Sequence, residues 1–108
     1  MIRNSQMPSD LQGRRSKLEI YVDILGAIAS GNVGPTRIMY KANISWQVLQ
    51  ETLDFLMSNG FLAEELENSR RIYRLTEKGF RVLKDFIHVK EELIATKPLN
   101  NYPARSDF

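Results

Sequence analysis

The sequence predicts an α+β fold, mostly α: three helices, a two-stranded hairpin and a long C-terminal helix. Three observations carry this. Ser16, Pro35 and Ser45 each open a stretch with apolar residues at helical spacing, and Gly31, Asn43 and Gly60 suit the stops. Residues 70–79, Arg-Arg-Ile-Tyr-Arg-Leu-Thr-Glu-Lys-Gly, pass from a basic, β-prone run straight into a helix start. From Glu77 to about Thr96 the pattern stays helical, which at 1.5 Å per residue gives a rod of roughly 30 Å.

The first helix begins at a capping box, in which the Ser16 hydroxyl accepts from the Glu19 amide and the Glu19 carboxylate accepts from the Ser16 amide. Leu18, Tyr21, Ile24, Leu25 and Ile28 form its buried face, and it ends near Ser30. A brief second helix follows Pro35, from Thr36 to about Lys41, with Ile38, Met39 and Tyr40 as its apolar contacts. Ala42-Asn43-Ile44 makes a tight link, Asn43 suiting a left-handed or a side-chain-capped conformation. The third helix takes Ser45 as N-cap and runs to Asn59. Val48, Leu49, Leu53, Phe55 and Leu56 sweep one side, with Gln47, Gln50, Glu51, Asp54 and Ser58 on the other.

Phe61–Leu66 and Arg71–Leu75 read as strands around a polar tip at 67–70. The second strand is expected to alternate, Arg71, Tyr73 and Leu75 against Ile72 and Arg74. Thr76 caps the last helix. Its apolar positions form two rows: Phe80, Leu83, Ile87 and Ile94 to close the chain's own core, and Val82, Phe86, Val89 and Leu93 in need of another surface. Antiparallel coiled-coil pairing with a second copy is the simplest cover, with Lys90 between the rows as a snorkelling residue or a registry device. The expected organisation is a flexible arm at 1–13, a domain at 14–76, a dimerisation helix at 77–96 and a flexible tail at 97–108.

Composition narrows the function. With 108 residues, 43% of them apolar, the chain can build one small domain with a thin core. Cysteine is absent, which excludes disulfides, thiolate metal sites and thiol nucleophiles. A single histidine, His88, on the polar side of the last helix makes a metal site or other cofactor unexpected. No glycine-rich phosphate loop or nucleophile constellation is present, so no enzyme is expected. The apolar stretch at 24–29 lies too far in and is too short for a signal peptide or a membrane span. A cytoplasmic, nucleoid-associated protein is expected. Net charge is only +2. Its distribution says more, because residues 1–17 hold Arg3, Arg14, Arg15 and Lys17 against Asp10 alone, a net +3.

Three stretches carry a family resemblance: Gly34-Pro35-Thr36-Arg37-Ile38-Met39-Tyr40-Lys41-Ala42-Asn43, then Leu53-Asp54-Phe55-Leu56 with Asn59-Gly60, then Tyr73-Arg74-Leu75-Thr76-Glu77-Lys78-Gly79. Over roughly residues 15–95 the chain resembles the small archaeal winged helix-turn-helix proteins that dimerise through a long C-terminal helix. The resemblance implies three helices, a two-stranded wing and a dimerising helix, with sequence-specific regulation or general chromosome binding as the usual roles. Acidity is the departure, since Glu51 and Asp54 lie on the face that would approach DNA.

Major-groove binding needs an exposed helix start that reaches base edges, with cations on its flanks to hold phosphates. Gln47 and Gln50 suit adenine's paired edge, Ser45 a phosphate or base, and Glu51 a cytosine amino group. Trp46 suits sugar packing or the edge of the core. Arg37 and Lys41 would hold the backbone from the second helix, Arg70 and Arg71 from the wing, and Arg14 and Arg15 from the arm. Each has a plainer role open: a solvated helix face for the glutamines, a charged edge strand for the wing arginines, a solubilising arm for Arg14 and Arg15. The expected function is a homodimeric transcriptional regulator on double-stranded DNA. A winged-helix protein adaptor in a transcription or replication assembly is the alternative, motivated by modest net charge and the acidic residues Glu51, Asp54, Glu64, Glu65 and Glu67.

Overall fold

The computed structural model describes residues 15–95. The chain runs α1 (Lys17–Ala29), α2 (Pro35–Ala42), α3 (Trp46–Ser58), β1 (Leu62–Glu67), β2 (Arg70–Leu75) and α4 (Glu77–Ala95). The expected arm, with Arg14, and the expected tail lie outside the described residues.

Local chemistry sets the helix ends. The capping box closes α1, Glu19 N–H donating to the Ser16 hydroxyl at 3.2 Å and Ser16 N–H to the Glu19 carboxylate at 2.8 Å. No side chain caps α2, which instead starts with Pro35 in its first turn. All three helices then stop in the same way. A left-handed residue (Gly31, Asn43 or Gly60) follows the last turn. The next amide reaches five residues back, Asn32 to Ala27 at 2.9 Å, Ile44 to Met39 at 3.2 Å and Phe61 to Leu56 at 2.8 Å. This double closure satisfies the carbonyls that a helix end leaves free.

The core is where these elements converge: Ile24, Leu25 and Ile28 of α1, Ile38 and Ala42 of α2, Leu49, Leu53 and Leu56 of α3, then Leu62, Tyr73 and Leu83. β1 and β2 pair antiparallel from Leu62 opposite Leu75 to Glu67 opposite Arg70. The hairpin tip is tighter than the expected four residues. Asn68 and Ser69 both hold positive φ, 53° and 66°, the two-residue turn whose twist matches that of the strands.

Two expectations are corrected. β2 does not alternate: Ile72 and Tyr73 are both buried, because the α1–α2 turn runs beside the strand and Tyr73 N–H donates to the Val33 carbonyl at 2.9 Å. In α4, only Leu83 of the row expected to close the core is buried. Phe80, Ile87 and Ile94 stand 53%, 43% and 71% exposed. The reason is length, since a helix of 19 residues extends about 28 Å and only its first turns lie over the core.

The entry of α4 is locked to the exit of α3. Thr76 donates its hydroxyl proton to the Gly60 carbonyl, its backbone N–H donates to Phe61 O at 3.2 Å, and its hydroxyl oxygen accepts from Gly79 N–H at 3.0 Å. Lys78 Nζ donates to Asn59 O at 2.9 Å and lies 4.6 Å from the centroid of the Phe61 ring. Gly79 permits this approach, because a Cβ there would fall 2.0 Å from the Phe61 carbonyl oxygen. Gly79→Ala should therefore cost about 1–3 kcal/mol in urea unfolding. Gly26→Ala, in a helix interior with no neighbour within 4 Å, should be neutral or stabilising by up to about 1 kcal/mol.

Candidate nucleic-acid interface

The helix-turn-helix unit is α2, the Asn43 turn and α3. Asn43 sits at φ 58° and ψ 56°, so the chain reverses within three residues and α3 leaves with its first turn outward. Ser45 begins that turn, its hydroxyl accepting from Val48 N–H at 3.1 Å. The hydroxyl proton stays free to donate. Trp46 is 52% exposed and Gln47 is exposed, while Gln50 is half-buried. Gln47 Nε2 donates to Glu51 Oε2 one turn on, at 3.2 Å.

Cations flank this face unevenly. Arg37 and Lys41 on α2 are exposed, and neither forms an ion pair among the described residues. Arg70, beside the hairpin tip, is likewise exposed and uncommitted. Arg37 and Arg70 meet across an open cleft of about 600 Å³ between the α1–α2 turn and the wing, with Gly34, Thr36 and Asn68 also on its walls.

The remaining wing cations are neutralised. Arg71 pairs with Glu64, and Arg74 with Glu65 at 3.1 Å and Glu67 at 3.7 Å. The first two pairings follow from register. Leu66 faces Arg71 and Ala63 faces Arg74, which puts Glu64 and Glu65 at the diagonal positions within reach of long side chains. Hydrogen bonding toward the Tyr73 hydroxyl, with the charge of Glu64, holds the Arg71 guanidinium above its ordinary pKa. Burial pushes the Tyr73 phenol up in turn, against the pull of Arg71. Arg71 is thus already engaged, unlike its neighbour Arg70.

Arg15 is engaged too. Its guanidinium pairs with Asp23 of α1 and donates to the Asn43 carbonyl at 2.7 Å, so it braces the turn before α3. Sequence spacing gave no sign of this, since 28 positions separate donor from acceptor. The glutamates that neutralise the wing were readable only once the hairpin turn fixed which residues stand opposite.

Along α4, Val82, Phe86, Val89 and Leu93 follow one another at intervals of four, three and four, the spacing of a coiled-coil seam. Val89 is 53% and Leu93 71% exposed, and Lys90 lies exposed beside them. No described residue covers the distal half of this strip. Among the described residues no helix is long and apolar enough to cross a membrane.

A family model described as winged helix-turn-helix matches residues 14–93. The crystal structure of Sso10a-2, a DNA-binding protein from Sulfolobus solfataricus, is similar at 38% identity with a TM-score of 0.59, covering 75% of this chain and 87% of that one. An uncharacterised protein of Methanocaldococcus jannaschii is 36% identical over 85 residues, which make up 79% of this chain and 82% of the relative. The transcriptional regulator BldR from S. solfataricus shares the fold at 17% identity with a TM-score of 0.58, covering 76% of this chain and 65% of that one.

Because the Ser45 cap fixes where α3 starts, Ser45→Ala should lower stability by about 1 kcal/mol in chemical unfolding, and Ser45→Asp should retain most of it.

Proposed function

This chain belongs to the winged helix-turn-helix family, and on that premise we propose that it is a non-catalytic, homodimeric double-stranded-DNA-binding protein, a transcriptional regulator. The observation that carries the reading is the outward first turn of α3, with Trp46 and Gln47 exposed, together with the uncommitted cations Arg37 and Lys41 of α2 and Arg70 of the wing. Each subunit sets α3 in the major groove, where Gln47 and Gln50 address base edges and Ser45 and Trp46 meet the backbone. Arg37 and Lys41 hold phosphates from α2 and Arg70 from the wing, with Arg71 contributing once it exchanges Glu64 for phosphate. Arg14 approaches the duplex from the arm. Arg15 acts through the Asn43 turn instead.

The adaptor reading loses part of its support, because Glu64, Glu65 and Glu67 are occupied by wing arginines rather than offered to a basic partner. Homodimerisation rests on the α4 strip. An exposed apolar row at seam spacing is covered most simply by its own copy running antiparallel, which puts the two α3 helices on a common duplex.

Replacing Arg37 and Arg70 together by alanine should weaken binding to every duplex and flatten the log–log salt dependence by about 0.9 per lost phosphate contact. Fluorescence anisotropy with random duplex at several salt concentrations measures this. Arg71→Ala should change the slope less than Arg70→Ala, and an equal change would mean that the Glu64 pair does not persist. Sedimentation should find the wild type dimeric and Phe86→Glu or Leu93→Glu monomeric, since either charge would be buried unpaired in the seam. A wild type that stays monomeric at high concentration would remove the dimer.

A further inference from the structure

Gln47 and Glu51 occupy successive turns at the exposed start of α3 and are joined by a hydrogen bond of 3.2 Å. A carboxylate can only accept, so the amide must turn its nitrogen to Glu51 and its oxygen away. One N–H of Gln47 is thereby consumed. What the pair offers outward is mainly lone pairs: the Gln47 carbonyl oxygen and the second Glu51 oxygen. Among the described residues no cation forms an ion pair with Glu51, so its charge stays available.

We infer that Gln47 and Glu51 form one specificity-determining unit that selects an amino-bearing base, adenine or cytosine, over a keto base, guanine or thymine, where α3 meets the duplex. The inference rests on the DNA-binding reading above. In the major groove adenine N6 and cytosine N4 donate, whereas guanine O6 and N7 and thymine O4 accept. An amino base therefore finds an acceptor waiting. A keto base sets lone pair against lone pair and leaves a partly desolvated carboxylate without a donor. A glutamine alone donates and accepts equally well, so Glu51 is what removes the ambiguity. The same charge repels phosphate, which discourages docking in any register that brings Glu51 to the backbone.

The test starts from the duplex that the wild type selects from a random pool. The selected site should carry adenine or cytosine at the position facing Gln47 and Glu51, and replacement by a keto base there should weaken binding about tenfold in anisotropy competition. Glu51→Gln keeps the size but removes the charge and adds a donor. It should bring the amino-to-keto ratio within about twofold by tightening the keto duplexes, which raises affinity for random duplex. Glu51→Ala should also shrink the ratio, and circular dichroism should report an unchanged fold for both, as the side chain is exposed. A ratio that stays tenfold in both variants, or a selected guanine or thymine at that position, overturns the unit and leaves the DNA-binding reading standing. A wild type that binds no duplex even at low salt overturns both.

Discussion

The structure depends on the clamp that joins the end of α3 to the start of α4. Thr76 bonds Gly60 and Phe61 across the open end of the hairpin, Lys78 bonds Asn59, and the bare Cα of Gly79 lies against the Phe61 carbonyl. Backbone groups on both sides take part, so the angle between the two helices has little freedom. One of those helices carries the candidate reading face and the other carries the apolar strip. In the proposed dimer the separation of the two reading faces is therefore a property of the clamp and the seam, and not of a flexible linker.

Electrostatics at the wing points the same way. The hairpin places three arginines and three glutamates within reach of one another, and all but Arg70 are drawn into ion pairs. These pairs are exposed, so each contributes little to stability. Their larger effect is on the field around the molecule. With most wing charge cancelled and a net charge of only +2, the attraction for any phosphate backbone is modest. A wing with one uncommitted arginine leaves more of the affinity to base contacts than a wing with three would. The Arg15 brace supports this division of labour, since its guanidinium fixes the turn that orients α3 instead of standing free for phosphate.

The apolar surface on α4 follows from geometry. A helix of 19 residues is longer than the body it crosses, and burial ends at Leu83. Beyond that point Phe86 is half-buried, and Ile87, Val89, Leu93 and Ile94 stand exposed. Periodicity could mark both rows as apolar, but which of them the domain covers depends on how far the body extends beneath the helix.

What the sequence determined by itself was whatever local chemistry decides. The Ser16–Glu19 box, the Ser45 cap, Pro35 at a first turn and the left-handed stops at Gly31, Asn43 and Gly60 each involve residues within five or six positions, so their partners are visible in the string. Tertiary structure decided the rest. The partner of Arg15, the cancellation of Arg71 and Arg74, the two-sided burial of Ile72 and Tyr73 and the extent of cover on α4 all depend on which distant segments meet. A side chain's spacing along the chain gives the face it points from, but only the packed fold supplies what stands opposite.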